Sequence, residues 1–297
     1  MIVVPSIPAA PQDQVDRILI NSAASLSFAP TDQDGEVVAV TATGPITISD
    51  SAGAEITGGT ATLNDDGTLS YDLAAADLPL LDTYAVKWQG TVGGDVLAWQ
   101  TTAQVVGGFH YSLAAFKALR PEFATMTPDR IRDARTLAEE RFELECRVAF
   151  VPRGARETLK GPSWESFLLA HVACRDILAM KIDGTILTGD QIAAQTIEEG
   201  GILRLDRTYW THRHRHCEVE ILYSHGYDRP DRAVRDAVLR LAKDYAVPDA
   251  NLPARALVQL TDYGAFRIGR IDDDNPFGID SVDAVYRAVR RHRPPVG

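Results

Sequence analysis

The chain has 297 residues, of which 45% are hydrophobic and 24% charged, and these ordinary values exclude a disordered or collagen-like chain. Its formal charge of −11 belongs to the first third, because residues 1–108 hold 13 acidic residues and only two basic ones, Arg17 and Lys87. That charge argues against a free duplex-DNA-binding protein, whose affinity depends on Lys and Arg contacts with phosphates. The length predicts two domains.

The cysteines and the N-terminal residues indicate the cellular compartment of the protein. Cys146, Cys174 and Cys217 are odd in number and too widely spaced for a disulfide framework or a zinc ribbon. The first residues lack the basic and apolar segments of a signal peptide, and no apolar run is long enough to span a bilayer. We therefore expect a protein without membrane association, which stays in the cell that makes it or leaves by lysis.

Residues 18–106 consist of short β-branched runs separated by turn dipeptides. Asp34-Gly35 and Gly93-Gly94 are examples, and such pairs accept the positive φ angles of tight hairpins. About six or seven strands in this length predict an all-β, immunoglobulin-like sandwich over residues 1–107. The region has no cysteine, so its core must depend on packing around Trp88 or Trp99.

Helical periodicity begins after Gly107-Gly108. Helices are predicted for residues 112–119, after Thr127-Pro128, for residues 163–181, after Pro230 and from Asp280 to about Arg291. The residues expected on the inner faces are Ile131, Ala134, Ala138, Phe142 and Cys146 in the second helix, Phe167, Leu168, His171, Val172 and Leu178 in the third, and Val234, Ala237, Val238, Leu241 and Tyr245 in the fourth. Residues 184–227 are interpreted as a β-hairpin, since Cys217 to Tyr223 alternates apolar and polar residues. A shorter strand pair is expected on either side of residues 263–264. Residues 108–297 are thus predicted to form a mainly α-helical domain with a β-hairpin insertion.

The densest group of metal-ligand residue types is the run from His212 to His216. On a strand, His212, His214 and His216 would share one face, as a transition-metal site requires. However, Arg213 and Arg215 alternate with them and no carboxylate lies at a suitable spacing. An exposed cationic hairpin tip that contacts a partner or nucleic acid is the favoured interpretation, and no metal or cofactor is predicted.

No pattern of a catalytic site is present. The sequence has no nucleophile elbow, P-loop, dinucleotide-binding or zinc-protease motif. Ser224 and His225 are neighbours that a strand would turn to opposite faces, and Glu139-Glu140 is expected on a solvated helix surface. The acidic run near Asp274 lacks the glutamate of a calcium loop and is interpreted as a solvated loop. We predict no enzymatic activity and no catalytic residue.

The C terminus combines an apolar helical stripe, several arginines and a stiff Pro-Pro end. A short terminal helix with apolar residues must bury them on something. Two interpretations remain open, a solvated basic tail and a segment that docks on an acidic or grooved partner. The docking candidates are Val285, Tyr286, Val289, Arg290, Arg291 and Arg293.

Six fragments after Gly108, taken in order, resemble the head-to-tail adaptor (connector) proteins of long-tailed bacteriophages. They are YSLAAFKALRPEF (111–123), AEERFE (138–143), VAFVPR (148–153), GGILRL (200–205), VEILYSHGYDRP (219–230) and FGIDSVDAV (277–285). The resemblance covers about residues 109–297. The acidic sandwich before it is not part of the minimal family pattern.

The resemblance implies a non-enzymatic structural protein of the virion neck, made in the host cytoplasm. Such adaptors form a ring, here expected to hold twelve copies, below the portal protein, and DNA passes through the ring. A stopper or tail-completion protein would be a further partner. The C-terminal arm, about residues 270–297, would reach the portal, and the hairpin with His212 to His216 would face the lumen or a neighbouring subunit. The acidic sandwich would face outward, away from DNA.

Two other classes remain open on the residues alone. In the first, an adhesin-like protein, the sandwich binds a host-surface ligand and the helical part only makes it oligomeric. In the second, an enzyme, the histidine run binds a catalytic metal. Metal content, mass in solution and cell binding by residues 1–107 would separate these classes.

Overall fold

The computed structural model describes residues 15–32, 34–161, 166–198, 200–206, 217–247, 258–261, 264–267 and 274–290. The chain divides into two compact units. We call Met1–Gly107 with Arg153–His225 the strand unit, and Gly108–Pro152 with Gly226–Gly297 the helix unit.

The expectation of a mainly α-helical second part is wrong. Among the described residues after Gly108, nine strands accompany the five α-helices. The helices are α1 (Leu113–Lys117), α2 (Pro128–Cys146), α3 (Gly189–Ala193), α4 (Arg232–Ala246) and α5 (Asp280–Val289). The protein is therefore rich in β-structure well beyond its first third.

The strands before Gly107 form two sheets. They are β1 (Val15–Leu19), β2 (Ala24–Phe28), β3 (Ala42–Thr43), β4 (Pro45–Ser49), β5 (Glu55–Thr60), β6 (Thr62–Leu63), β7 (Leu69–Leu73), β8 (Thr83–Val92) and β9 (Asp95–Val106). One sheet has the order β1-β9-β8-β4-β5, with β3 also paired to β8, and the other has the order β2-β7-β6. Strand β1 runs parallel to β9, whereas the other pairs are antiparallel.

Two tryptophans lie at the centre of the core that these sheets share. Trp88 and Trp99 face each other across β8 and β9, and the ring of Phe28 from the other sheet lies 5.7 Å from Trp88 and 6.0 Å from Trp99. The indole N–H of Trp88 donates to Thr101 Oγ1 and that of Trp99 to the Thr31 carbonyl, both at 2.9 Å. Both buried indoles are thus satisfied, and packing around them holds the core.

The strand unit contains a second group of strands, from the middle of the chain. They are β10 (Arg153–Gly161), β11 (Ser166–Leu168), β12 (Cys174–Ile182), β13 (Thr185–Ile186), β14 (Thr196–Glu198), β15 (Ile202–Arg204) and β16 (Cys217–His225). They form the sheets β10-β16-β12-β13 and β11-β15-β14. The core that both sheets share includes Leu169, Met180, Leu187, Leu203, Val219 and Ile221.

The predicted helix over residues 163–181 is wrong, because this segment supplies β11 and β12. Strand β12 pairs with β16 in the register Met180 to Ile221 and Ile182 to Val219. Leu168, expected on the inner face of a helix, is 72% exposed. A Leu- and Ala-rich sequence favours a helix locally, but pairing with a long alternating strand outweighs that weak preference.

The predicted hairpin over residues 184–227 is also wrong. Strand β15 pairs with β11 and β14, whereas β16 pairs with β10 and β12. The two runs expected to pair with each other therefore lie in different sheets.

Strand β10 packs closely against the connection between β7 and β8. A Cβ atom on Gly154 would lie 1.8 Å from the carbonyl oxygen of Leu81, so only glycine fits there. Two residues farther along β10, the Arg156 guanidinium lies 3.2 Å from the carboxylates of both Asp50 and Asp82. These contacts join the two groups of strands within the strand unit.

The helix unit is built on α2, which contacts α1, α4 and α5. The predicted inner face of α2 is confirmed, since Ile131, Ala134, Ala138, Phe142 and Cys146 are at most 3% exposed. Strands β17 (Val258–Thr261) and β18 (Gly264–Arg267) pair as the sequence predicts. None of the described helices is both long and apolar enough to cross a lipid bilayer.

Candidate functional site

Helix α5 carries three of the predicted docking residues, Val285, Tyr286 and Val289, and Arg290 is its C-cap. Tyr286 is only 6% exposed, and its ring packs edge-on against Phe277 with 5.8 Å between centroids. Val285 and Val289 are half-buried. The Arg290 guanidinium lies 5.3 Å from the centroid of the Tyr286 ring. The middle of the predicted docking stripe is therefore buried within the helix unit itself.

The other predicted contacts lie outside the described residues. These are Arg291 and Arg293 at the C terminus, and the run His212, Arg213, His214, Arg215 and His216, which ends where β16 begins. Within the described ranges, no group of three His, Cys, Asp or Glu side chains is arranged to hold a metal ion.

An aromatic cluster forms the centre of the helix unit. The fully buried ring of Phe142 stacks on Phe277 at 5.5 Å and packs against Phe150 at 5.8 Å. Phe150 in turn contacts the rings of His110 at 5.9 Å and Tyr227 at 6.3 Å. The cluster therefore connects α2 with the segments before and after it and with the segment leading into α5.

Three charged residues on successive turns of α2 hold the segment that enters the helix unit. Glu139 accepts the backbone N–H of His110 at 2.8 Å, and Glu143 Oε1 lies 2.9 Å from His110 Nε2. The Arg135 guanidinium covers the ring of Phe109, 3.4 Å from its centroid. The expectation that Glu139 lies on a solvated surface is wrong, because it is fully buried. The four-residue spacing of these charges was the available sequence signal.

The opposite side of α2 exposes two leucines. Leu137 is 52% exposed and Leu144 is 70% exposed. They are seven residues apart, so they lie two turns from each other on one face of the helix. Single exposed leucines are common on protein surfaces, but two on one helix face provide apolar area that a partner protein could cover.

The strand unit contains a polar cluster beside its second core. The hydroxyl of the fully buried Tyr223 donates to the Glu157 carboxylate, which also accepts the N–H of Ala170 at 3.0 and 3.2 Å. The same hydroxyl accepts the N–H of His171 at 3.4 Å. The Cys174 thiol donates to the His171 carbonyl at 2.9 Å. Most of these contacts hold the loop of residues 170–173.

The protonation states of this cluster argue against nucleophilic chemistry. Burial raises the pKa of the Cys174 thiol to about 11, and the nearby Glu157 charge adds to that shift. Burial, followed by the hydrogen bond to Glu157, also raises the pKa of Tyr223 above its ordinary value. Both groups are therefore neutral near pH 7, whereas a reactive cysteine requires a lowered pKa.

Two histidines stack at the edge of the same cluster. The rings of His171 and His225 have centroids 4.0 Å apart and planes inclined by 17°. Ser224, next to His225, instead accepts the Asp176 N–H at 3.1 Å and donates to its carboxylate at 3.3 Å. The two side chains are engaged by different partners, as expected for neighbours that a strand turns to opposite faces. The sequence drew attention to His225 only as the neighbour of Ser224 and did not indicate its contact with His171, because the stack joins residues that are distant along the chain.

No family model matches the sequence, and no curated protein matches it. Solved structures match weakly. The CBM51-2 and INT domains of Clostridium perfringens ZmpB show 15% identity over 33% of this chain and 18% of theirs, with a TM-score of 0.23. Tandem repeats in the extending region of a large adhesion protein show 16% identity over 65% of this chain and 40% of theirs, with a TM-score of 0.25.

A sialyltransferase from Photobacterium damsela shows 18% identity over 37% of this chain and 22% of its own, with a TM-score of 0.20. The chain thus spans less than half the length of each of these structures. Similarities at such TM-scores carry no conclusion about fold or function.

Proposed function

We propose that this protein is a structural subunit of a bacteriophage neck, a head-to-tail adaptor that assembles into a ring below the portal. The helix unit makes the contacts between copies and with the portal, and residues 1–107 of the strand unit are an addition to the adaptor pattern. Catalysis is not part of this role. The acidic charge of residues 1–108 keeps the added strands away from DNA.

This proposal depends mainly on which segments of the chain form the helix unit. It is formed by two segments separated by residues 153–225, yet it unites most of the fragments that resemble adaptors. Fragments 111–123, 138–143 and 277–285 lie in it completely, and fragment 148–153 lies in it except for Arg153. A coherent unit made of these fragments is the body that such a resemblance requires.

The charge balance supports the same role. Residues 109–297 hold 28 acidic and 28 basic residues, so the resembling part of the chain is neutral. A ring that lets DNA slide through its lumen must not bind phosphates strongly, because each Lys or Arg contact adds affinity. A neutral body also offers residues of both signs for contacts between neighbouring copies.

The exposed face of α2 supplies the apolar part of the contact between copies. A closed ring uses heterologous contacts, in which one surface of a subunit meets a different surface of the next. Leu137 and Leu144 would lie on one of these two surfaces. Apolar side chains at the centre of such an interface lose contact with water when the ring closes.

Replacing both leucines with lysine is expected to convert rings into monomers. Two buried lysines per interface would lose hydration without a partner, so the ring should dissociate over the whole micromolar range. Light scattering after size exclusion measures the mass, and negative-stain images show the rings. The matched control is Val96→Lys, a residue 71% exposed in the strand unit, which should leave the rings unchanged. A wild-type protein that stays monomeric with its portal present contradicts the proposal.

Ending the chain after Arg290 is expected to preserve the ring and weaken portal binding by about tenfold or more, since it removes Arg291 and Arg293 but leaves α5 whole. Immobilised portal from the same phage and the purified truncated protein give the affinity. A chain ending after Pro294 retains both arginines and is the control. Equal affinity of all three proteins would show that the tail does not dock.

A further inference from the structure

The stacked histidines His171 and His225 lie beside a buried arginine and a cysteine of the neighbouring strands. His225 is 7% exposed at the end of β16, the strand between β10 and β12. In the sheet register it pairs with Arg153 on one side and with Cys174 on the other, so the three side chains share one face. Arg153 is 3% exposed. The ring of His171 covers His225 from the loop above.

The loop of residues 170–173 is held in a strained conformation. Ala173 has φ of 53°, a left-handed value that costs a residue with a Cβ atom free energy. The backbone is also tightly packed, because a Cβ atom on Gly201 would lie 2.8 Å from the His171 carbonyl oxygen. Such a conformation persists only while the surrounding contacts hold it. The ring stack is the contact among them whose charge changes near neutral pH.

The charged and titratable groups around the two rings come from all three strands. They are Arg153 and Glu157 on β10, Tyr223 on β16, and Cys174, Arg175 and Asp176 on β12. Tyr223 and Cys174 are neutral near pH 7, and Asp176 is hydrogen-bonded to Ser224. Glu157 is the carboxylate that favours a proton on His171, but it already accepts bonds from Tyr223 and Ala170.

We propose that the His171–His225 stack is a pH-sensitive latch, which holds the loop of residues 170–173 at neutral pH and releases it in mild acid. Two neutral imidazoles stack favourably. A proton on His171 places a positive charge against the face of the His225 ring, whose register partner on β10 is Arg153. The strained loop then loses the contact that offsets its conformation.

The direction of the pH effect follows from burial. Burial lowers the pKa of His171 below its ordinary value of 6.5, and the opposing attraction of Glu157 is smaller. As the pH falls, His171 therefore binds a proton at a higher pH in the released loop than in the closed loop. The contribution of the latch to stability is complete above pH 6.5 and is lost between that pH and the lower pKa of the closed state.

Hydrogen exchange of the full chain at pH 7.5 and pH 5.5 tests the latch. For peptides covering residues 168–176, the intrinsic exchange rate at each pH is divided by the observed rate, and the resulting protection factors can be compared between the two pH values. We expect protection in this loop to fall by a factor of about three or more at pH 5.5, while β8 and α2 keep theirs. Equal protection of the loop at both pH values would overturn the proposal.

Two substitutions separate the latch from general acid sensitivity. His171→Phe keeps a flat neutral ring on His225, so the loop should remain protected at pH 5.5, whereas His171→Arg carries a permanent charge and should loosen the loop already at pH 7.5. His292→Phe removes an imidazole elsewhere and should behave as the wild type. Loss of protection at pH 5.5 in His171→Phe, or full protection at pH 7.5 in His171→Arg, would refute the latch.

Discussion

Replacing Gly154 with alanine is expected to destabilise the strand unit by about 3 kcal/mol or more. The added Cβ atom would lie 1.8 Å from the carbonyl oxygen of Leu81, 2.3 Å from its carbonyl carbon and 2.9 Å from the nitrogen of Asp82. All three atoms belong to the backbone, so no side-chain rotation relieves the overlap. Strand β10 must move away, and that movement also stretches the contacts of Arg156 with Asp50 and Asp82.

Tryptophan fluorescence during urea unfolding measures this loss selectively. Trp88 and Trp99 are buried in the strand unit, and the sequence segments of the helix unit, 108–152 and 226–297, contain no tryptophan, so the emission does not report on the helix unit directly. Gly189→Ala is the matched control, since a Cβ atom at the start of α3 has no heavy atom within 4 Å. It should be neutral or slightly stabilising. If Gly154→Ala unfolds at the same urea concentration as Gly189→Ala, β10 does not pack against Leu81 as described.

Periodicity predicted the elements whose stability comes from one apolar face. The inner face of α2 was readable because Ile131, Ala138 and Phe142 recur at helical spacing, and α4 was readable in the same way. The pair β17 and β18 was readable from its turn. In each of these cases the residues that fix the element are close together in the chain.

The same method failed where a distant partner decides the structure. Residues 163–181 favour a helix by composition, but β12 pairs with β16 from Cys174 to Ile182, with two register shifts before Ala179. The union of β10 with the first strands rests on Gly154 and Arg156, whose partners Leu81, Asp50 and Asp82 lie far earlier in the chain. A single sequence does not show which distant residue a glycine or an arginine will contact.

The polar groups of the two units were harder still to predict. Glu139 was expected in solvent because charged residues on helices usually are exposed, yet it is buried by the segment whose backbone it binds. His171 lies in the loop before β12 and His225 at the end of β16, so their rings come into contact only in the folded protein. Buried polar partners are a property of tertiary structure, so composition and spacing indicate the residues but not the pairs.

Replacing Phe142 with alanine is expected to destabilise the helix unit by about 3 to 5 kcal/mol. Phe142 is fully buried, stacks on Phe277 and packs against Phe150, so its loss leaves a cavity where the segments around α2 meet. Far-UV ellipticity at the helical band, followed against urea, measures the loss, because α2, α4 and α5 all belong to this unit. Phe142→Leu keeps most of the volume and should cost about 1 kcal/mol.

The fluorescence transition of Phe142→Ala distinguishes a local from a global role for this ring. The aromatic cluster consists only of helix-unit residues, and the tryptophan core of the strand unit has its own buried partners, so the fluorescence midpoint should stay at the wild-type value. The two probes should then separate, with helical ellipticity lost at lower urea than tryptophan burial. A fluorescence midpoint that falls together with the ellipticity would mean that the two units unfold as one. In that case the helix unit would not be an independent assembly body, and the adaptor proposal would lose its main support.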